Sequence, residues 1–203
     1  MLSYFLDLLT ISRFVVFDFL HTKPCRIISK LLKNRETGIK VCISIAAAFG
    51  CPFEGVVRPS QVIEIAEKCL DLRPDEISLA DTIGVAVPKD IKQKVEPLIS
   101  LYSDTPVRLH LHNTRNTAIS NAWTAFELGV KRFDASFGGI GGCPFAPNAT
   151  GNVAIEDLIY LFERSGFNTG VDLDASIKVA EWLREQVNHP LPSALLAAGD
   201  FKI

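Results

Sequence analysis

A strand-like segment followed by a helix-like segment recurs four times along residues 41–187, and this alternation constrains the fold more than any other feature. Each strand-like segment is a short apolar run, and each helix-like segment repeats its apolar residues with a period of 3.6. In the first helix-like segment Val62, Ile65, Ala66 and Cys69 share one face. Strands that alternate with helices indicate a parallel sheet with right-handed crossovers. The predicted fold class is therefore α/β.

Apolar runs and turn residues set the boundaries of the predicted elements. The predicted strands cover residues 41–49, 76–80, 107–112 and 132–136. The predicted helices cover residues 59–70, 88–101, 117–128, 153–165 and 175–187. Ser60 is the predicted N-cap of the first helix, because a serine oxygen can accept from the free N–H groups of the first turn.

The length of the chain limits how much of a barrel it can form. It has 203 residues, whereas a complete eight-unit α/β barrel takes about 250 residues at roughly 30 per unit. Without the irregular N-terminal segment, there is room for about five units. No GxGxxG motif follows the first predicted strand, which weighs against a dinucleotide-binding fold. The sequence therefore predicts about half of a barrel, or an α/β fold that is not a barrel.

The N-terminal segment, residues 1–37, departs from the regular pattern. Residues 2–20 are strongly apolar, but Asp7, Arg13 and Asp18 interrupt them, so a membrane-spanning helix is not expected. The segment has no basic start of the kind that a signal peptide carries. We predict an atypical apolar, helical segment over residues 1–37 and the partial barrel over residues 38–203.

Composition and charge narrow the class of partners. Hydrophobic residues make up 48% of the chain and the formal net charge is −2, which indicates a globular protein with a sizeable core. No basic cluster indicates a nucleic-acid or membrane partner. The five cysteines lack CxxC spacing and no secretory signal is evident, so we predict reduced thiols and a cytoplasmic location.

Two histidines, a cysteine and an asparagine are the candidates for chemistry. His110 and His112 stand at i and i+2, and on a strand that spacing points both rings to one face. Residues 138–142 contain four glycines in five positions, so we expect a mobile loop that carries the Cys143 thiol. Asn152 follows shortly after. Together these groups predict a metal-assisted reaction on a small molecule.

Each candidate also has a plainer interpretation. Two histidines can simply be polar residues at a strand end, and a lone cysteine such as Cys143 is more often structural. Asn152 could have no role beyond capping the helix predicted from Val153. Asp81, after the second predicted strand, is either a turn acid or a site residue. Arg115 could form a surface salt bridge as readily as it could contact a substrate.

Four motifs together resemble the 3-hydroxy-3-methylglutaryl-CoA lyase family, which belongs to the metal-dependent TIM-barrel lyases and synthases. The motifs are Phe-Gly-Cys-Pro-Phe-Glu-Gly at 49–55, Ile-Ser-Leu-Ala-Asp-Thr-Ile-Gly at 77–84, His-Leu-His-Asn-Thr-Arg at 110–115 and Gly-Ile-Gly-Gly-Cys-Pro-Phe-Ala at 139–146. Residues 150–152 and 156–158 fit the same family. The resemblance covers about residues 38–187, and its motifs are jointly highly specific.

The resemblance implies a fold, a metal and an activity. The predicted strands would be the last four of a TIM barrel, and His110, His112 and Asn152 would bind a divalent cation, Mg²⁺ or Mn²⁺. Cys143 would be the catalytic thiol. The implied reaction is retro-Claisen cleavage of 3-hydroxy-3-methylglutaryl-CoA to acetyl-CoA and acetoacetate, late in leucine breakdown.

Further residues follow from the same resemblance. Asp81 is expected to have a catalytic role, and the residues expected to contact the acyl-CoA substrate are Thr82, Arg115, Gly141 and Gly142. Asn116 stands where the family usually has glycine, and asparagine tolerates the left-handed conformation better than most residues. A homo-oligomer is a further possibility.

The chain also departs from the family in one respect that affects activity. The family's first strand carries an Arg-Asp pair, in which the Asp binds the metal, and this sequence shows no counterpart. Metal affinity and turnover are therefore expected to be low. The alternatives are a related synthase that condenses acetyl-CoA with a 2-oxo acid, and an inactive truncated fragment or interaction module.

Overall fold

The structure, a computed structural model, describes residues 15–17, 40–143, 146–187 and 190–201. For residues 15–17, 143 and 146–150 it describes the backbone alone. Within these ranges no helix is long and apolar enough to cross a membrane.

Five parallel strands form the main sheet, in the order β1-β2-β3-β4-β5. Their bounds are β1 Val15–Phe17, β2 Cys42–Ile45, β3 Glu76–Asp81, β4 Val107–Leu111 and β5 Arg132–Asp134. Each strand pairs with the next along the chain, which is the order of strands in an α/β barrel. The predicted parallel α/β fold is confirmed.

Strand β1 is the one main-sheet strand that the sequence pattern did not predict. It lies inside the N-terminal segment expected to be helical, and Val15–Phe17 pair in parallel with Ile43–Ile45 of β2. For these three residues the helical prediction is wrong, because pairing with β2 supplies the backbone hydrogen bonds that a helix would otherwise provide. The rest of that segment lies outside the described residues.

Six helices lie within the described residues, and the first three of them alternate with strands β2 to β5. They are α1 Pro59–Leu70, α2 Pro88–Leu101, α3 Ala118–Glu127, α4 Ile155–Arg164, α5 Leu173–Gln186 and α6 Ala194–Ala198. The predicted helices are confirmed to within a few residues. The predicted N-cap Ser60 is wrong: α1 begins at Pro59 and its cap is Arg58, whose backbone N–H donates to Gln61 Oε1 at 2.9 Å.

Strand β2 is shorter than predicted. It ends at Ile45, and the chain turns at Ala47, whose φ is +51°. The apolar run continues to Phe49, but residues 47–49 are buried in the turn rather than paired in the sheet. An apolar run in the sequence indicates that a segment is buried, and the residues of a buried turn can be as apolar as those of a strand.

Side chains alternate between the two faces of the sheet. Leu79, Leu109 and Phe133 form one row across β3, β4 and β5, and all three are fully buried in the core shared with the helices. The next row, Ala80, His110 and Asp134, points to the opposite face because successive strand residues alternate. That face, which would line the interior of a complete barrel, is polar.

The glycine-rich segment after β5 has regular structure, in contrast to the predicted mobile loop. A 3₁₀ turn at Phe137–Gly139 leads into an antiparallel hairpin of β6 Gly142–Cys143 and β7 Ala146–Thr150. The chain then crosses the carboxyl ends of β4 and β5: Val153 N–H donates to Leu111 O at 2.9 Å. This crossing brings residue 152 beside residue 112.

Candidate metal centre and active site

His110 and His112 lie on one face at the carboxyl end of β4, as their spacing predicted. Their ring centroids are 5.3 Å apart in an edge-to-face arrangement. The His112 residue is only 4% exposed, whereas about a third of the His110 side chain, 32%, reaches solvent. One imidazole therefore sits at the floor of the site and the other nearer its opening.

Asn152 joins the two histidines through backbone pairing. His112 and Asn152 form an antiparallel bridge, and Asn113 N–H donates to Gly151 O at 3.1 Å. The side-chain Nδ2 of Asn152 donates to Ile140 O at 3.1 Å, which fixes the orientation of the amide. The alternative in which Asn152 caps a helix is wrong, because α4 begins at Ile155 and its cap is Ala154.

Two buried atoms of this group have no hydrogen-bond partner: His112 Nδ1 and Asn152 Oδ1. Buried polar atoms in proteins are nearly always paired, so two orphans on bridged residues need an explanation. A divalent cation would account for them, since imidazole nitrogen and amide oxygen suit Mn²⁺ and are acceptable to Mg²⁺. The residues present thus fit the metal that the sequence predicts.

The protonation state of His112 also suits a metal ligand. Burial, with a smaller contribution from His110, lowers the pKa of His112 to about 4. The imidazole is therefore neutral at pH 7, and a neutral imidazole is the form that binds metals. Within the described residues no cluster of three or more His, Cys, Asp or Glu side chains could hold a metal ion, so the set here is two imidazoles and an amide.

Asp134 is a site residue that the sequence analysis missed. Its Oδ2 lies 3.3 Å from His110 Nδ1, and its Oδ1 accepts from Arg108 NH1 at 2.8 Å. Burial alone would raise the pKa of Asp134, but the hydrogen bond from His110 and the charge of Arg108 outweigh it and hold the pKa below its usual value. The available signal was the polar alternation in the two strands, Arg108-His110-His112 and Arg132-Asp134.

Asp81 and Thr82 support the turns at the carboxyl ends of β2 and β3. The Asp81 carboxylate is fully buried and accepts from the N–H groups of Val85 and Ala86 at 2.9 and 3.0 Å. Burial raises its pKa, although both hydrogen bonds oppose the shift. Thr82 Oγ1 accepts from Ala47 N–H at 2.8 Å. The turn-acid alternative describes this geometry of Asp81, while its catalytic role and the substrate contact of Thr82 stay predictions.

Arg115 lies in the segment after β4, and its side chain contacts the turn that follows β3. Its NH1 donates to Ile83 O at 2.9 Å and to Gly84 O at 3.0 Å, and the residue is exposed. In this structure Arg115 therefore cross-links the chain through two backbone carbonyls. Its predicted contact with the acyl-CoA stays a prediction.

Gly141 lies directly against Asn152. A Cβ at Gly141, whose φ is +126°, would approach Asn152 Nδ2 to 2.5 Å. Gly142 is exposed and pairs with Thr150 in the hairpin. The side chain of Cys143 lies outside the described residues, so the predicted catalytic thiol and the substrate contacts of the two glycines stay predictions.

Glu156 connects α4 to the start of the glycine-rich segment. Its Oε1 accepts from Gly138 N–H at 2.8 Å, and its Oε2 is buried without a hydrogen-bond partner. Burial raises the pKa of this carboxyl. Glu156 belongs to the motif at 156–158, and the structure shows that it anchors the 3₁₀ turn.

The solved structures that this chain resembles include lyases built on this type of α/β barrel. The solved HMG-CoA lyase of Bacillus subtilis superposes with a TM-score of 0.80 at 36% identity, over 85% of this chain and 58% of its own. An HMG-CoA lyase from Acinetobacter baumannii, solved in complex with coenzyme A and 3-methylmalate, gives a TM-score of 0.79 at 38% identity, over 86% and 58%. The chain belongs to the HMGL-like family, whose model matches residues 26–183.

The curated relatives that the chain matches are lyases named for two different acyl-CoA compounds. The chain is 48% identical over 168 residues to the (R)-citramalyl-CoA lyase of Chloroflexus aurantiacus, covering 83% of this chain and 53% of that protein. It is 40% identical over 149 residues to a hydroxymethylglutaryl-CoA lyase of Bacillus subtilis, covering 73% and 50%. The chain therefore spans about half the length of the curated relatives it matches.

Proposed function

We propose that this chain carries the metal-binding part of a carbon–carbon lyase that cleaves a branched 3-hydroxyacyl-CoA. The observation that carries the proposal is the pair of orphaned buried atoms, His112 Nδ1 and Asn152 Oδ1, on two residues that bridge at the end of β4. Family membership and the lyase names of the relatives support the reaction class.

The proposed ligands are His110, His112 and Asn152, and the cation is Mg²⁺ or Mn²⁺. Such a cation lowers the pKa of the substrate hydroxyl and holds the reacting atoms in place. The chain contributes a neutral His112 imidazole and an amide oxygen that is oriented by the Nδ2 hydrogen bond to Ile140 O. Burial of these groups excludes water, which strengthens their interaction with a charged substrate.

Cleavage needs a proton to leave the hydroxyl, the C2–C3 bond to break, and a proton to reach C2 of the resulting thioester enolate. We assign the last step to the Cys143 thiol, because a thiol with a pKa near 8.5 can exchange a proton with carbon at neutral pH. Gly142–Cys143 belong to the hairpin that leads directly back to Asn152. The assignment rests on the motif at 139–146 and on that connection.

Two acyl-CoA substrates are proposed, and each has a relative in its favour. Cleavage of 3-hydroxy-3-methylglutaryl-CoA yields acetyl-CoA and acetoacetate, whereas the same cleavage of citramalyl-CoA yields acetyl-CoA and pyruvate. Identity is higher to the citramalyl-CoA lyase, at 48%, than to the hydroxymethylglutaryl-CoA lyase of Bacillus subtilis, at 40%. We therefore propose citramalyl-CoA as a second candidate substrate beside 3-hydroxy-3-methylglutaryl-CoA, which the motifs predict.

The purified chain, loaded with Mn²⁺ and given each acyl-CoA separately, tests the function. We expect acetyl-CoA to form, with pyruvate or acetoacetate as the second product, each quantified by its own NADH-linked dehydrogenase. Turnover should be low, since the family's Arg-Asp pair has no counterpart here. Cys143→Ser should remove most of the activity, and His112→Ala should remove it together with Mn²⁺ binding.

Two outcomes would contradict the proposal in different ways. If Mn²⁺ binds and neither substrate yields acetyl-CoA, the chain is the inactive fragment that the sequence also allowed. If acetyl-CoA is instead consumed together with a 2-oxo acid, and Cys143→Ser retains that activity, the chain is a condensing synthase.

A further inference from the structure

Four charged or titratable side chains form a continuous chain of contacts across β3, β4 and β5. Glu76 binds Arg108 through both carboxylate oxygens, at 3.0 Å to Nε and 3.2 Å to NH2. Arg108 binds Asp134, and Asp134 faces His110. The chain of contacts runs from the start of β3 to the candidate metal ligand, on the polar face of the sheet.

The contact between Asp134 and His110 determines which imidazole nitrogen is available. Because the Asp134 carboxylate faces Nδ1 at 3.3 Å, the proton of a neutral His110 belongs on Nδ1. The lone pair is then on Nε2, where a cation can bind it. We infer that Asp134 is a positioning residue that holds His110 in this tautomer and orientation, so that its Nε2 can bind the divalent cation. This inference rests on the proposed metal-dependent function.

Asp134 can do this because it is itself held in place. Its Oδ1 is engaged by the Arg108 guanidinium at 2.8 Å, so its other oxygen is directed at His110. Arg108 is only 1% exposed and is fixed by the two-point contact with Glu76. A carboxylate behind a metal-binding histidine also makes the imidazole a stronger ligand.

The fixed charges along this chain of contacts are paired with one another. Glu76 and Asp134 carry two negative charges, and Arg108 and Arg132 carry two positive ones, with Arg132 NH1 lying 3.3 Å from Glu76 Oε1. Buried charges persist when they are paired in this way.

Replacing a residue with a purely structural role would change the stability of the protein and leave its Mn²⁺ affinity unchanged. Arg132 provides the matched control for Asp134. It contacts Glu76 at the far end of the same chain of contacts. Arg132→Gln should lower the stability of the protein while leaving Mn²⁺ affinity unchanged. Asp134→Asn should weaken Mn²⁺ binding by about 10- to 100-fold, the usual effect of losing a carboxylate behind a ligand histidine.

The test measures Mn²⁺ binding to the full chain by isothermal titration calorimetry, with thermal unfolding recorded in parallel. Long-range ¹H–¹⁵N NMR on the metal-free protein reports the His110 tautomer, which should be Nδ1–H in wild type and mixed in Asp134→Asn. Asp134→Glu keeps the charge, so its affinity should lie between those of wild type and Asp134→Asn; it also serves if Asp134→Asn fails to fold.

The outcomes separate this inference from the proposed function. Equal Mn²⁺ affinity in wild type and Asp134→Asn, or an unchanged His110 tautomer, would overturn the positioning role while the metal site stands. Equal losses of affinity in Arg132→Gln and Asp134→Asn would also overturn it. A wild-type protein that binds no Mn²⁺ would instead overturn the metal-dependent function, and with it the ligand role of His110.

Discussion

Asn152 shows how one residue acquires a defined orientation from its neighbours. Its Nδ2 donates to Ile140 O, and its Oδ1 is left without a partner beside His112. Gly141 lies so close to the amide that any side chain there would displace it. The orientation of the Asn152 amide therefore depends on the hydrogen bond to Ile140 O and on the absence of a side chain at Gly141.

Gly141→Ala is expected to weaken Mn²⁺ binding by about tenfold or more, because the new Cβ would stand 2.5 Å from Asn152 Nδ2. The matched control is Gly129→Ala, at φ +104° with no atom within 4 Å of the new Cβ. Both variants should lose about 1–3 kcal/mol of stability from the positive φ. Calorimetric titration should find Mn²⁺ affinity reduced in Gly141→Ala alone; an equal reduction in both variants would speak against the role of Gly141.

At the scale of elements, β4 is the strand on which the sheet and the site both depend. It pairs with β3 on one side and β5 on the other, and it alternates buried apolar residues with polar ones. Leu109 packs into the helix-covered core while Arg108 and His110 point to the polar face. One strand thus carries the centre of the core and the candidate ligands on opposite faces.

Leu109→Ala should lower the free energy of unfolding by about 2–5 kcal/mol, since it removes three carbons from a fully buried position. Leu101→Ala, at a position 60% exposed at the end of α2, should change it by about 0.5 kcal/mol or less. Urea titration followed by circular dichroism measures both. Similar small losses in the two variants would mean that β4 is not central to the core.

At the scale of the whole molecule, part of the polar face of the sheet is buried although the chain spans about half the length of its curated relatives. Cys42 illustrates the point: it stands in register with Glu76 on β3 and is 4% exposed. Burial, with the nearby Glu76 charge, raises the pKa of the Cys42 thiol to about 12. The thiol is therefore protonated and inert at physiological pH.

Iodoacetamide at pH 8 should leave Cys42 unmodified in the native protein, because a thiol with a pKa of about 12 has roughly one thiolate in ten thousand at that pH. In urea its pKa should return to about 8.5, so that alkylation becomes rapid. Peptide mass spectrometry resolves Cys42 from the other cysteines. Rapid native alkylation would show that this face of the sheet is open to solvent.

Local sequence patterns were sufficient for the fold class and for part of the site. The 3.6-residue and two-residue periods predicted the helices and the parallel strands, and the spacing of His110 and His112 placed both rings on one face. These properties follow from neighbours in the chain, so periodicity reports them. Asn116, at φ +57°, likewise adopts the left-handed conformation expected where the family has glycine.

Contacts between distant segments were decided by the tertiary structure alone. The crossing of residues 151–155 over β4 and β5 made Asn152 a partner of His112 rather than a helix cap. The register of β4 with β5 put Asp134 behind His110. Pairing with β2 made Val15–Phe17 a strand. The periodicity of one segment carries no information about which other segment lies beside it, because that choice depends on packing the whole chain at once.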